Sequence, residues 1–122
     1  MRREFALAAI CMFVATPVLA AAARCNQPYA PQFRDGAGAT RQDIMAMRDD
    51  AQTFIAASDI YQACLLKAGL QIDTRMKVEA NQRDKVRVGK AFNAVLTAYK
   101  GAHKANASSF DDLEEIAYTD DD

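Results

Sequence analysis

The apolar positions of this chain follow three patterns in succession along its length. Over residues 5–20 they run on with breaks only at Thr16 and Pro17, after a start carrying Arg2 and Arg3 and before the alanines 20–23. A positive start, a short greasy stretch and a small-residue exit form the pattern of a secretory signal peptide. The run is shorter than the ~20 residues that cross a bilayer, and Pro17 disfavours helix near its end. The expectation is a signal peptide over residues 1–22, cleaved after Ala20 or Ala22, with no transmembrane span in the mature chain.

From residue 40 the apolar positions recur at spacings of three and four. Ile44, Met47, Ala51, Phe54, Ser58, Tyr61, Leu65 and Ala68 make a heptad seam, which predicts a helix over 40–68. Thr40 and Asp43 stand as a capping box at its start, with Asp in place of the usual Glu or Gln. About 100° round the helix runs a second series of mostly small residues: Ala46, Asp50, Thr53, Ala57, Ile60 and Cys64. Gly69 suits the left-handed position that ends a helix, with Leu70 folding back on Leu65 or Leu66.

A second helix is predicted over 73–103, capped by Asp73 or Thr74. Its seam is Val78, Asn81, Lys85, Val88, Phe92, Val95, Tyr99 and Ala102, with Leu96 alongside. In an antiparallel hairpin Asn81 falls near the hydroxyls of Ser58 and Tyr61, which would satisfy its amide. Lys85 is expected to reach solvent along its alkyl stem. Gly89 weakens the helix by ~1 kcal/mol relative to alanine, and the pattern leaves open whether it marks a close contact or a tolerated flaw. Beyond His103 the periodicity fades; Ser109 would cap a short turn carrying Phe110, Leu113 and Ile116, and residues 105–122 are read as an acidic, largely disordered tail.

Between signal peptide and first helix, residues 23–39 form a Pro/Gly arm. Pro28 and Pro31 favour an extended path, and Asp35-Gly36 signals a turn. Its length matters because of the cysteines. The chain has three; Cys11 leaves with the signal peptide, and Cys25 and Cys64 remain as one pair in an oxidising compartment. Lipidation of Cys25 calls for a small residue just before it, where Arg24 stands. From Cys25 to Thr40 an extended chain reaches roughly 47 Å, while the helix from Thr40 to Cys64 rises only ~36 Å. The arm is therefore long enough to double back along the small-residue series and close a Cys25–Cys64 disulfide, with Tyr29 and Phe33 as its anchors. The competing arrangement is a loose leader whose cysteine pairs between chains. A loop of about 40 residues would contribute roughly 4 kcal/mol when closed, a large share for a domain this small.

Composition agrees with helix: good helix formers dominate and tryptophan is absent. Net charge is −1, but the signs are segregated. Arg83, Arg87 and Lys90 share one flank of the second helix, and the C-terminus is acidic. That flank would suit an anionic partner such as lipopolysaccharide, phospholipid headgroups or an acidic protein; a solvated helix face accounts for the same residues. Nothing points to nucleic acid.

Catalytic chemistry finds no constellation. The single histidine, His103, sits at a helix C-terminus, where a positive charge is favourable in itself. The adjacent carboxylates Asp49-Asp50, Asp111-Asp112 and Glu114-Glu115 diverge on a helix. Residues 120–122 lack the spacing of a calcium loop, and Asn106-Ala107-Ser108 is a chance-level glycosylation triplet. There is no haem-attachment, phosphate-loop or nucleophile-elbow motif. No catalytic, cofactor-binding or metal residues are assigned, and the chain is read as no enzyme.

Cys25 followed by Pro28 and Pro31, the Asp35-Gly36 turn, Tyr61 with Cys64, Phe92-Asn93 and Tyr99-Lys100 together resemble small exported helical proteins of alphaproteobacteria. This chain has fewer prolines and a longer acidic tail than that pattern. The resemblance implies a periplasmic or secreted helical domain and supplies no activity.

The sequence thus predicts an all-α fold: an antiparallel two-helix hairpin over 40–104 with an extended N-terminal arm stapled to helix 1. Its expected role is a non-enzymatic envelope interaction or structural module with a protein partner. Alternatives are a holdase-like periplasmic chaperone and a binder of anionic envelope components through the basic flank. The long seam would also suit a homodimer arranged as four helices.

Overall fold

The structure, a computed structural model, describes residues 25–69, 71–105 and 112–118. The signal-peptide stretch, Leu70, Asn106, Ser109, Phe110 and residues 120–122 lie outside the described residues. Two helices, α1 (Arg41–Lys67) and α2 (Ile72–Ala102), form a hairpin. No strand occurs among the described residues.

Helix α1 begins as its sequence dictates. Thr40 is the N-cap in extended conformation. Its backbone N–H donates to Asp43 Oδ2 at 2.9 Å, and the Asp43 N–H donates back to Thr40 Oγ1 at 3.2 Å. The Thr40 N–H first, and second the Thr40 hydroxyl, which donates to the same Oδ2 at 2.8 Å, hold the Asp43 carboxyl below the ordinary aspartate value, with Arg34 adding attraction from 3.5 Å. The seam on α1 is buried from Ile44 through Leu65; only Ala68, at the C-cap, is exposed. Gly69 follows at φ 115, the left-handed conformation that glycine adopts without strain.

Helix α2 starts earlier than expected. Gln71 is its N-cap and makes no side-chain capping bond. Asp73 lies in the first turn instead, where its charge favours the positive end of the helix dipole. Gln71, Ile72 and Asp73 are exposed, so water can serve the first N–H groups of the helix in place of a capping side chain. At the far end His103, the C-cap, places Nδ1 2.9 Å from the Tyr99 carbonyl and its ring 4.4 Å from that of Tyr99.

Across the hairpin a polar rung replaces apolar packing near its middle. Asn81, 1% exposed, donates to Ser58 Oγ at 3.1 Å and accepts from Gln62 Nε2 at 2.9 Å. Ser58 is the expected partner, but Gln62 rather than Tyr61 completes the amide. Lys85 keeps its stem covered, its side chain only 13% exposed, and its ammonium meets Asp59 Oδ1 at 2.5 Å in an exposed ion pair. The 60%-exposed carboxylate of α1 is its partner at the edge of the hairpin.

Two extended segments clad the helices on opposite sides. The N-terminal strap, residues 25–39, starts at Cys25, which is bonded to Cys64 with the two Cα atoms 5.7 Å apart. Pro28 and Pro31 lie beside Asp50, Thr53 and Ala57 of the small-residue series on α1. Ala30 and Phe33 reach the shared core, and Phe33 meets Phe92 of α2 edge-on at 6.2 Å. Gly36 then turns against the backbone of Val95 so closely that a Cβ would overlap the Val95 carbonyl. Asp35 Oδ1 accepts from the Ala37 N–H at 3.1 Å and stabilises that turn.

Tyr29, expected to anchor this strap, is 96% exposed. A polyproline-like chain has three residues per turn. Cys25, Pro28 and Pro31 occupy one row and Ala30 and Phe33 another, and both rows are at least partly covered. Asn26, Tyr29 and Gln32 fall on the remaining row and face solvent.

The C-terminal strap, residues 112–118, lies in the other groove, so the reading of a largely disordered tail does not hold for these residues. Leu113 and Ile116 are 3% and 7% exposed and belong to the same core as Phe92 and Leu96. Asn93 holds the Ile116 peptide at both ends, donating to its carbonyl at 3.1 Å and accepting from its N–H at 2.9 Å. Lys100 donates to the Leu113 carbonyl at 2.8 Å, and Asp112 pairs with Arg41. Tyr118 packs so close to Gly89 that any Cβ there would strike its ring. Gly89 therefore marks a close contact.

Candidate interaction surface

Several polar side chains are used in holding the fold together. Asp59 and Lys85 neutralise each other, Asn93 and Lys100 bond the C-terminal strap, and His103 closes the end of its own helix. Cys25 and Cys64 are joined to each other. Among the described residues no group of three His, Cys, Asp or Glu side chains is arranged to hold a metal ion. None of the described helices is long and apolar enough to cross a membrane.

The clefts follow the edges of the two straps. One, about 300 Å³, lies between Gln52, Ile55 and Asp59 of α1 and Ile116 of the C-terminal strap. Another, about 360 Å³, separates Phe33 from Val88, Ala91 and Val95. Both are largely apolar seams between packed segments, open to solvent, and neither brings acid, base and nucleophile together.

Charge is arranged more distinctively. Arg83, Arg87 and Lys90 are all exposed and, at spacings of four and three, share the face of α2 turned away from α1. Arg87 pairs with Asp84 one turn back while its side chain remains 70% exposed. The Lys90 ammonium stands 5.9 Å from the Tyr118 ring centroid, a cation–π contact that ties this face to the end of the C-terminal strap. Of the acidic residues described in the tail, Asp112 goes to Arg41 at the start of α1, while Glu114 and Glu115 are exposed.

Two further residues on the same face escaped sequence reasoning. Ile72 and Met76, one turn apart, are 77% and 62% exposed. Stepping on by helical spacing from Met76 leads to Arg83 and Arg87. The apolar pair and the cations therefore form one stripe, about 27 Å long at 1.5 Å per residue. The signal was present as an apolar pair out of phase with the seam. A helix starting only at residue 73 would leave Ile72 outside it and hide the pair.

No protein-family model, no curated protein and no solved structure matches the chain.

Proposed function

We propose that this protein is exported and acts outside the cytoplasm as a non-enzymatic interaction or structural module of the cell envelope. The observation that carries the reading is the Cys25–Cys64 bridge, which joins the first described residue to α1. Disulfides of this structural kind persist in oxidising compartments, in keeping with the signal-peptide pattern over residues 1–22. The bridge fastens a proline-bearing arm onto α1 and makes the hairpin a rigid support for its outer faces. The use of its polar side chains in internal bonds further supports a scaffold role.

The seam that would draw in a second copy or an unfolded client is already occupied. Its α1 residues are buried against α2, and the straps fill the two grooves beside them. This weighs against both the four-helix dimer and the holdase, and favours a monomer. The exposed cations of α2 support a second reading, recognition of an anionic envelope component.

Fractionation of cells expressing the full chain, combined with thiol labelling, tests the proposal. The expected product has lost its first 20 or 22 residues, lies outside the cytoplasm and labels only after reduction. A full-length cytoplasmic protein with free thiols overturns it.

A further inference from the structure

Resting on the envelope reading above, we propose that the outer face of α2 docks on an anionic phospholipid surface. In this arrangement Ile72 and Met76 enter the acyl boundary while Arg83 and Arg87 engage lipid phosphates. Three observations on the stripe converge on this partner. First, its chemistry is divided along its length: exposed aliphatic side chains at the hairpin tip, then a single exposed carboxylate, Glu79, and exposed cations beyond. Helices that lie in the membrane interface combine apolar insertion with basic contact in this way. Second, the local charge balance is positive. Arg75, Lys77, Arg83, Arg87 and Lys90 stand against Asp73, Glu79 and Asp84, and Arg87 already engages Asp84.

Third, among the described residues the tip carries no strap over Ile72 and Met76. The N-terminal strap begins at the level of Cys64, and the described part of the C-terminal strap ends at Tyr118 beside Asp59 and Lys85. The N-terminal strap comes level with the start of α2 but on the flank of α1, and neither described strap covers Ile72 or Met76, which stay 77% and 62% exposed. The surface is the convex outside of a helix. A deformable lipid layer fits such a shape, whereas a protein partner would need a matching groove.

Binding of the processed, oxidised protein to vesicles tests this directly. It should co-float with phosphatidylcholine vesicles containing phosphatidylglycerol at low salt and stay in solution with phosphatidylcholine alone. Ile72→Ser with Met76→Ser, and separately Arg83→Gln with Arg87→Gln, should each lower partitioning by roughly tenfold or more. All four side chains are exposed, so the melting temperature should stay near that of the parent. The chain has no tryptophan, so Ile72→Trp gives a single fluorescent reporter, expected to shift to the blue and be quenched by brominated acyl chains. Equal binding to neutral vesicles, undiminished binding of either variant, or an unshifted reporter overturns the inference. So does salt-sensitive retention on polyglutamate by protein that ignores vesicles, which would indicate an acidic protein partner. Vesicle failure by an exported, oxidised protein removes only this inference. A reduced cytoplasmic protein removes the envelope reading whatever the vesicles show.

Discussion

The two straps do the same job by opposite means. Each is an extended segment pressed into one groove of the hairpin, and each places small or apolar side chains in a common core. The N-terminal strap is closed covalently and carries two prolines, which have no N–H to satisfy. The C-terminal strap has neither device. Its peptide groups are bonded by side chains that α2 holds out to them, Asn93 and Lys100. An extended chain without sheet partners must still satisfy its backbone. Removing N–H groups, and supplying side-chain donors and an acceptor from a helix, are two solutions to that requirement. The first should depend on redox state, and the second should not.

The largest effect should come from opening the bridge. Its ends are 39 residues apart, and closing such a loop contributes roughly 4 kcal/mol in the chain-entropy model. Chemical denaturation of Cys25→Ser/Cys64→Ser should show a loss of that order, and added reductant should have no further effect. If parent protein melts identically with and without reductant, the N-terminal strap contributes nothing through its bridge, and the contrast collapses.

Cutting the C-terminal strap loose should cost less and be indifferent to reductant. Asn93→Ala leaves both polar groups of the Ile116 peptide unbonded, a loss of about 2 kcal/mol. The same decrement is expected in oxidised protein and in the double serine variant, because the straps occupy separate grooves. A decrement that vanishes in one background would mean the two straps are coupled.

A smaller effect concerns Gly89. Alanine there should gain ~1 kcal/mol in a free helix, but its methyl group would displace the Tyr118 ring. Gly89→Ala is therefore expected to be neutral or destabilising in the parent and stabilising once Tyr118→Ala has removed the ring. A gain of equal size in both backgrounds would show that Tyr118 does not rest there.

The smallest effect is at the cap of α1. The Asp43 carboxyl is held below the ordinary value of 3.8 by its bonds with Thr40. A depressed carboxyl pKa contributes stability that is present above the unfolded-state value and lost as pH falls through the folded-state value. Stability of the parent should therefore decline in acid below about pH 4 more steeply than that of Asp43→Asn. Parallel acid limbs would deny Asp43 a role in the cap.

How much of this was readable in advance depends on how local each signal is. The α1 seam follows from spacing alone, since periodic burial on a helix needs no knowledge of the partner. The capping box was legible for the same reason. The reach of the arm to Cys64 came from lengths, and its course along Asp50, Thr53 and Ala57 from the small side chains there. Tyr29 reads as an anchor from its size alone, whereas the three-residue repeat of an extended strap leaves its row facing water. The C-terminal strap was missed because Leu113 and Ile116 sit among carboxylates, and only two apolar residues mark it. Asn93 reads as an ordinary helix residue until Ile116 lies opposite. Likewise, Ile72 and Met76 stand out only once α2 is known to begin at Ile72.

The covalent link between Cys25 and Cys64 turns the intervening chain into a ring. Arg34 lies within that ring, with its side chain 71% exposed, so a trypsin-like protease has an accessible place to cut. Hydrolysis there would open the ring without releasing either piece. The nicked molecule would keep its mass on a non-reducing gel, apart from one added water, and would separate into two polypeptides only when the sulfurs are reduced.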